Sequence, residues 1–306
     1  MTFDVDPLTL LARAILALGA GLIVPVGMIA TTPDGADRAA RFHRFVRRLL
    51  SPAAVPLLVS LVTATSDLAP ILALPWVAAS ALVAALGARR LVARARTERR
   101  FDLAELAIDA GFAYLPVGAV WAWVYRADVD LLGFAGVQAL LTANHFHFAG
   151  FGMCVLVGLV GRRLGPAAGP TYRAAAVLAV LAVALVAAGI TVSHTLEVGA
   201  AWALVLGVIL TAVSLVRASR TSRGVPRALL VVSAIAGVIA AGFAAHFATG
   251  GFARLDAVAL RRMLFFHALV NAIGFVGAGL TAFALDGATR GQGAKTLSSS
   301  PDTTTT

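Results

Sequence analysis

The sequence predicts an all-α, polytopic integral membrane protein, a bundle of about nine transmembrane helices. Only 13% of the 306 residues are charged and 59% are hydrophobic, whereas a soluble domain carries roughly 25% charged residues. Apolar runs of about 18 residues, the length that crosses the hydrocarbon core as a helix, recur along the chain. Only helices and closed barrels satisfy every backbone hydrogen bond in lipid. The runs lack the alternation of barrel strands, so helices are predicted.

The first three spans lie in the amino-terminal third of the chain. The first follows Asp4 and Asp6, and because a signal peptide begins with basic residues, we expect this span to remain in the protein. The second and third spans are interrupted by prolines and meet at a tight joint at Ser66 and Asp67. Arg13 lies within the first span, and we expect it to extend toward the outer headgroups.

The remaining spans carry polar residues mainly near their ends. The fourth opens with Glu105 and Asp109, for which we predict structural ion pairs with nearby arginines. The fifth contains two histidines, and the ninth precedes residues 286–306, which have the composition of a disordered cytoplasmic tail. We therefore assign residues 1–285 to one transmembrane domain. The predicted spans lie near 8–29, 51–66, 69–88, 105–124, 132–160, 173–194, 198–216, 227–248 and 263–285.

The positions of the basic residues predict the orientation in a bacterial cytoplasmic membrane. With the amino terminus outside, the inner loops and the tail hold twenty arginines and lysines, and the outer segments hold four. Cytoplasmic loops carry the excess of such residues, so the carboxyl terminus is predicted to be cytoplasmic. The net charge of +10 is then explained by anionic lipid beside these loops, and no nucleic-acid partner is expected.

The polar residues of the predicted outer half are candidates for a functional site, because ionisable groups are costly at membrane depth. Five of the six histidines fall there, and His43 is expected to be solvated in a basic cytoplasmic loop. The candidates are His145, His147, His194, Glu197, His246, His267, Asn271 and Asp67.

Two pairs of these candidates share a helix face. Glu197 follows His194 by three residues, and Asn271 follows His267 by four. A carboxylate beside an imidazole raises its basicity and fixes its tautomer, which suits a metal ligand and a general base equally well. The alternative is that both pairs only tie helices together through hydrogen bonds, and that His246 is an ordinary interfacial residue.

The fifth span contains the densest polar segment, TANHFHFAGF at 142–151. On a regular helix His145 and His147 point roughly 200° apart. One metal ion therefore binds both only if the helix is distorted. Otherwise one histidine faces the site and the other bonds a neighbouring helix. The single cysteine, Cys154, excludes disulfides within the chain and thiolate clusters.

These residues predict a membrane-embedded enzyme, most simply a metal-dependent oxidoreductase acting on a membrane-partitioned small molecule. Non-haem iron or another transition metal suits the ligands better than haem, and an electron-donor protein would be a partner beside the lipid bilayer. The alternatives are a metal-free acid/base cyclase or isomerase, a proton-coupled transporter and a structural subunit. The expected metal ligands are His145, His147, His194, Glu197 and His267. Asn271 joins them in the catalytic set, and His246 and Asp67 support the cofactor.

Two segments resemble the YndJ-like family of bacterial membrane proteins. They are TANHFHFAGF at 142–151 and RRMLFFHALVNAIGF at 261–275, and Ala268 stands where the family commonly has glycine after the histidine. The resemblance implies a multi-span membrane protein. It marks His145, His147, His267 and Asn271 as positions of the family type.

Overall fold

The computed structural model describes residues 6–97, 102–248 and 257–287. Within these ranges the chain forms nine helices that are long and apolar enough to cross a membrane, which confirms the predicted fold class. The helices are α1 (Pro7–Ala30), α2 (Arg38–Val62), α3 (Leu68–Thr97), α4 (Leu103–Ala127), α5 (Gly136–Ala167), α6 (Gly169–Val192), α7 (His194–Ser219), α8 (Gly224–Ala248) and α9 (Val258–Gly287).

The helices run up and down, so that their connections alternate between two ends of the bundle. One end, here the arginine-rich end, includes the first turns of α2 and α4 and the last turns of α3, α5 and α7. The opposite end includes the connections 63–67, 128–135 and Ser193. Which end faces the cytoplasm stays a prediction from the arginine distribution.

Helix α5 is the centre of the bundle. Nearly all of its apolar stretch is buried, whereas each other helix leaves a large share of its surface outside. Lipid gives no hydrophobic driving force between helices, so they associate through close packing at small residues. A Cβ at Gly158 of α5 would lie 2.6 Å from the carbonyl oxygen of Ala104, which shows how closely α4 approaches.

Helix α2 begins at Arg38, well before the predicted start at residue 51. The side chain of Asp37 caps it by accepting a hydrogen bond from the backbone nitrogen of Ala40 (2.7 Å). The basic segment is therefore helical, and His43 is only 1% exposed, with Nε2 3.0 Å from the carbonyl oxygen of Met28. The prediction of a solvated His43 was wrong, because its neighbours three residues away on either side, Ala40 and Val46, are buried on the same face.

Two arginines cap the carboxyl end of α2 at the end opposite the arginine-rich one. Arg13 does not extend toward the headgroups as predicted, since its guanidinium donates to the hydroxyl of Tyr125 (2.6 Å) and the carbonyl of Leu61 (3.1 Å). Arg126 lies in the last turn of α4, is 1% exposed, and donates to the carbonyl of Thr63 (3.2 Å). These bonds satisfy backbone oxygens that a helix end leaves unpaired.

The arginine-rich end is held by the ion pairs that the sequence predicts. Glu105 accepts hydrogen bonds from Nε (2.5 Å) and one terminal nitrogen (2.9 Å) of Arg162, and it also pairs with Arg90. Asp109 pairs with Arg90 (2.9 Å) and Arg94. The cluster joins α3, α4 and α5. Removing one partner would leave partly buried charge uncompensated.

The predicted disordered tail lies largely outside the described residues. Helix α9 continues through Gly287, so residues 286 and 287 are helical, and Asp286 forms an ion pair with Arg163. The prediction was wrong for these two residues, because the ion pair holds the end of α9 against α5. Residues 288–306 lie outside the described ranges.

Three helices contain π-helical turns that meet in the core. They lie at Gly19–Ile23 in α1, at Phe146–Met153 in α5, and at Met263–Ala268 and Val270–Gly277 in α9. A Cβ at Gly152 would lie 2.5 Å from Cγ1 of Val276, so α5 and α9 pack tightly at this level. Such turns are rare and occur frequently at functional sites.

Candidate functional site

A cavity of about 470 Å³ is lined by residues from all six helices α4 to α9 and lies toward the end of the bundle opposite the arginine-rich end. Its volume is in the range of sites that hold a drug-sized molecule. Most of its wall is apolar, with aromatic rings from Trp121, Phe134, Phe146 and Phe247. The polar side chains that line it are Thr142, His145, Thr191, Glu197, His267 and Asn271.

His145 reaches the cavity from the last α-helical residue of α5 before its π-helical turns begin. Its Nε2 lies 3.5 Å from the carbonyl oxygen of Val183 in α6, a weak contact. A carbonyl only accepts, so in the tautomer that makes this contact the hydrogen is on Nε2. In the neutral ring Nδ1 is then an acceptor.

His267 reaches the same cavity from the π-helical part of α9. Its Nδ1 donates to the carbonyl oxygen of Ala240 in α8 over 3.0 Å. That bond fixes the tautomer, because the carbonyl has no hydrogen to give. Nε2 of the neutral ring therefore carries the lone pair, and among the described residues it has no hydrogen-bonding partner.

Asn271 lines the cavity from the same helix as His267. Its side chain is partly buried and forms no hydrogen bond to any described residue. A buried polar group normally has a partner in the protein or in solvent. The amide of Asn271 therefore gives the cavity one further donor group and one further acceptor.

Glu197 lies in the first turn of α7 and lines the cavity. His194, with its side chain 49% exposed, does not line the cavity, but its Nδ1 lies 3.4 Å from the Glu197 carboxylate. The predicted pair thus exists as a contact. Only Glu197 faces the cavity, and it is the one acidic or basic side chain, histidines aside, among the described residues that line it.

His147 is held in the protein core by both of its ring nitrogens. Trp76 Nε1 donates to His147 Nε2 (3.0 Å), and His147 Nδ1 donates to the carbonyl of Ala143 (2.8 Å). The two aromatic rings stack with centroids 5.9 Å apart. Since both nitrogens are engaged and the side chain is fully buried, His147 packs α3 against α5 and does not line the cavity.

The other two predicted site residues lie apart from the cavity. Asp67 is exposed in the connection between α2 and α3. His246 is exposed near the end of α8 and does not line the cavity. The structure therefore brings together His145, Glu197, His267 and Asn271, and it separates them from His147, His194, His246 and Asp67. Within the described ranges, no three His, Cys, Asp or Glu side chains form a group suited to holding a metal ion.

Sequence reasoning missed part of the cavity wall. Trp121 lines the cavity and packs on Phe134 with ring centroids 5.6 Å apart. Met153 and Met263 also line the cavity. Flexible, apolar methionine side chains give no periodic signal that separates a cavity wall from ordinary core.

Comparisons with known proteins support the resemblance seen in the two sequence segments. A family model described as YndJ-like protein matches residues 14–275. The uncharacterized membrane protein YndJ of Bacillus subtilis (strain 168) is 30% identical over 173 residues, which cover 56% of this chain and 31% of that protein. The match thus spans about a third of the relative's length. No solved structure matches the chain significantly. The relative's description and the nine candidate spans agree on a multi-pass membrane location.

Proposed function

This chain belongs to the YndJ-like protein family, and we propose that it binds a membrane-partitioned small molecule in the cavity lined by helices α4 to α9 and transfers protons to or from it. The observation that carries this proposal is the pairing of His145 and His267. They come from different helices, line one largely apolar cavity, and each has one ring nitrogen beside a backbone carbonyl.

The proposed chemistry follows from the free nitrogen of each ring. Imidazole exchanges protons near neutral pH more readily than any other side chain. Nδ1 of His145 and Nε2 of His267 are the nitrogens left to accept a proton from a bound molecule. Their backbone contacts hold the rings in place, which lowers the cost of orienting a catalytic group.

The surroundings of the two histidines suit an apolar substrate. Alanine and aliphatic side chains make up most of the wall, and such a wall excludes water and strengthens every polar contact inside it. A molecule dissolved in the bilayer gains little by transfer into another apolar medium. Its polar group therefore decides the binding, and that group would lie beside His145, His267 and Asn271.

A metal-dependent version of the same site rests on a narrower observation. Ligating histidines usually bond a carbonyl or carboxylate through their other nitrogen, as His145 and His267 do. A transition metal would take these two rings and need at least one more ligand, for which Asn271 and Glu197 are candidates in the wall. The oxidoreductase activity, the iron and the electron-donor partner predicted from the sequence stay predictions.

The test measures binding and proton transfer separately. The protein is purified in lipid nanodiscs from D2O-grown cells, and the small molecules that copurify are analysed by mass spectrometry. We expect the wild type to retain a compound that Ala244→Phe, which places an aromatic ring in the cavity, does not retain. Reincubated in H2O, the bound compound should exchange carbon-bound deuterium beside its polar group for hydrogen in the wild type, and exchange it much more slowly in His145→Ala and His267→Ala.

Controls separate the proposal from its competitors. His246→Ala removes an exposed histidine outside the cavity and should exchange like the wild type. Equal exchange in all variants would overturn the acid/base role. Elemental analysis of the same samples tests the metal version, which predicts a stoichiometric transition metal that disappears in His267→Ala.

Transport is the remaining competitor. Towards the arginine-rich end, beyond Met153, the side chains of Leu156, Val160 and Phe275 are fully buried and pack the core. A path across the bundle would therefore require a rearrangement of α5 and α9. Movement of the copurified compound across sealed vesicles, driven by a pH gradient, would replace the proposed enzyme with a transporter.

A further inference from the structure

We infer that the molecule bound in this cavity is an uncharged alcohol or phenol, whose hydroxyl oxygen binds between His267 and Asn271. The inference rests on the proposed function and specifies its ligand. It follows from the hydrogen-bonding character, the charge and the shape of the described wall.

The tautomer of His267 sets the first requirement. Its Nδ1 hydrogen is used on the carbonyl of Ala240 (3.0 Å), so Nε2 of the neutral ring accepts. A ligand group that meets this nitrogen must therefore donate a hydrogen. Hydroxyl groups do so, whereas ethers, esters and ketones do not.

Asn271 sets the second requirement. Its amide lines the same cavity and forms no hydrogen bond to a described residue. The amide nitrogen donates two hydrogens, so an oxygen that gives its own hydrogen to His267 can accept one from Asn271. A hydroxyl oxygen performs both roles at one position. A primary amine has three donors when charged and no acceptor, which leaves the Asn271 amide nitrogen unmatched.

Charge excludes the commonest membrane amphiphiles. Among the described lining residues, Glu197 is acidic and none is an arginine or a lysine. Fatty acids and phospholipids would bring a carboxylate or phosphate into a low-dielectric space without a cation to meet it. Burying such a charge is strongly unfavourable, so an uncharged polar group is favoured.

The rest of the wall fits a bulky apolar body. Trp121 and Phe134 form one aromatic pair, and Phe247 and Met263 contribute elsewhere on the wall. With about 470 Å³, the space suits an isoprenoid chain or a substituted ring. A three-unit isoprenoid alcohol is therefore a suitable probe.

The experiment compares probes that differ only in the polar group. Radiolabelled farnesol is bound to the full-length protein in nanodiscs, and it is competed with unlabelled farnesol, farnesyl methyl ether or farnesoic acid. We expect the ether, which cannot donate to His267, to compete about five- to tenfold more weakly than farnesol, the factor for one hydrogen bond of about 1 kcal/mol. The acid should compete more weakly still at neutral pH.

Variants assign the two contacts. His267→Leu should make farnesol and its ether equal competitors, because the acceptor is gone. Asn271→Leu should weaken both by a similar factor, because both oxygens accept from the amide. Gln138→Ala, an amide on α5 outside the cavity wall, is the matched control and should bind like the wild type. If the His267 variant fails to fold, the comparison of the alcohol with the ether on the wild-type protein still shows whether the ligand must donate a hydrogen bond.

The outcomes separate this inference from the proposed function. An ether that competes as well as farnesol, or an acid that competes better, overturns the hydroxyl site. If Ala244→Phe nevertheless abolishes probe binding, the cavity binds small molecules and the proposed function stands. Failure of all three probes to bind overturns the inference as well. Probe binding that is unaffected by Ala244→Phe overturns both, because the probe then binds elsewhere.

Discussion

The hydrogen bond between Trp76 and His147 should contribute measurably to the stability of the bundle. Nε1 of Trp76 and Nε2 of His147 are 3.0 Å apart, both side chains are 0% exposed, and their rings stack. Trp76→Phe keeps an aromatic ring, removes the only donor to Nε2 among the described residues, and leaves space where the larger ring of the indole was. The variant therefore isolates one buried polar contact between α3 and α5.

The expected loss in the free energy of unfolding is the sum of two effects. Hydrogen bonds between membrane helices contribute about 0.6 to 1.7 kcal/mol, and a buried acceptor left without a donor adds to that loss. Replacing a large buried ring with a smaller one costs roughly 1 to 2 kcal/mol more in lost packing. We expect about 2 to 4 kcal/mol in total.

The single cysteine provides the assay. Cys154 is buried in α5, so a dye that fluoresces on reacting with thiols reports unfolding as the temperature rises. Trp202→Phe is the matched control, because Trp202 is 45% exposed on α7, and surface substitutions change stability by about 0.5 kcal/mol or less. We expect the melting temperature of Trp76→Phe to fall several degrees below that of the control.

A double-mutant cycle with His147→Leu completes the test. If the two side chains interact as the distance indicates, the double variant should be more stable than the two single losses predict, by about 1 kcal/mol. Equal melting temperatures for Trp76→Phe and Trp202→Phe, with no coupling to His147, would refute the reasoning.

Three further predictions use the same assay. Glu105→Gln should lower the unfolding free energy by about 1 to 3 kcal/mol, because the partly buried guanidinium of Arg162 loses its carboxylate while Arg90 and Arg94 keep Asp109; a near-neutral result would show that the cluster is solvated. Gly118→Ala should destabilise by about 1 to 3 kcal/mol, since its Cβ would lie 2.7 Å from Nδ1 of His147. Gly199→Ala, with nothing within 4 Å of the added Cβ, is the matched control and should be neutral or stabilising. Equal losses of stability for the two alanine variants would contradict the close packing at Gly118. Arg126→Met should destabilise by about 2 kcal/mol or more by uncapping α2, and an unchanged melting temperature would show that water replaces the guanidinium.

The sequence predicts the number and order of the helices because lipid leaves the backbone few alternatives. An apolar run of sufficient length must be helical there, whatever its side chains pack against. The ends of helices outside the hydrocarbon carry no such constraint, and this is why the start of α2 was placed too late. A local signal existed, since Asp37 is a typical amino-terminal cap and the spacing of Ala40 and Val46 about His43 indicates a buried face.

The sequence predicts how deep in the membrane the site lies, but not which side chains meet there. Hydropathy and loop charge place most histidines at one end of the bundle, and His145, His267 and Asn271 do meet in one cavity. Which side chains meet depends on the rotation of each helix about its axis. The π-helical turns at Phe146–Met153 and in α9 change that rotation, and the sequence does not reveal them. Nor does any local pattern connect Trp76 with His147, seventy-one residues later.

The two histidines of α5 show why the cavity differs from a packing defect. His147 illustrates what a purely structural histidine does in this bundle, because a donor and an acceptor engage its two nitrogens. His145 and His267 each use one nitrogen in this way, and Asn271 uses neither end of its amide on a described residue. These groups face the cavity, and leaving them unmatched where water is excluded costs about 1 to 3 kcal/mol each. Three of them lining one cavity is better explained by a ligand that satisfies them than by helix association alone.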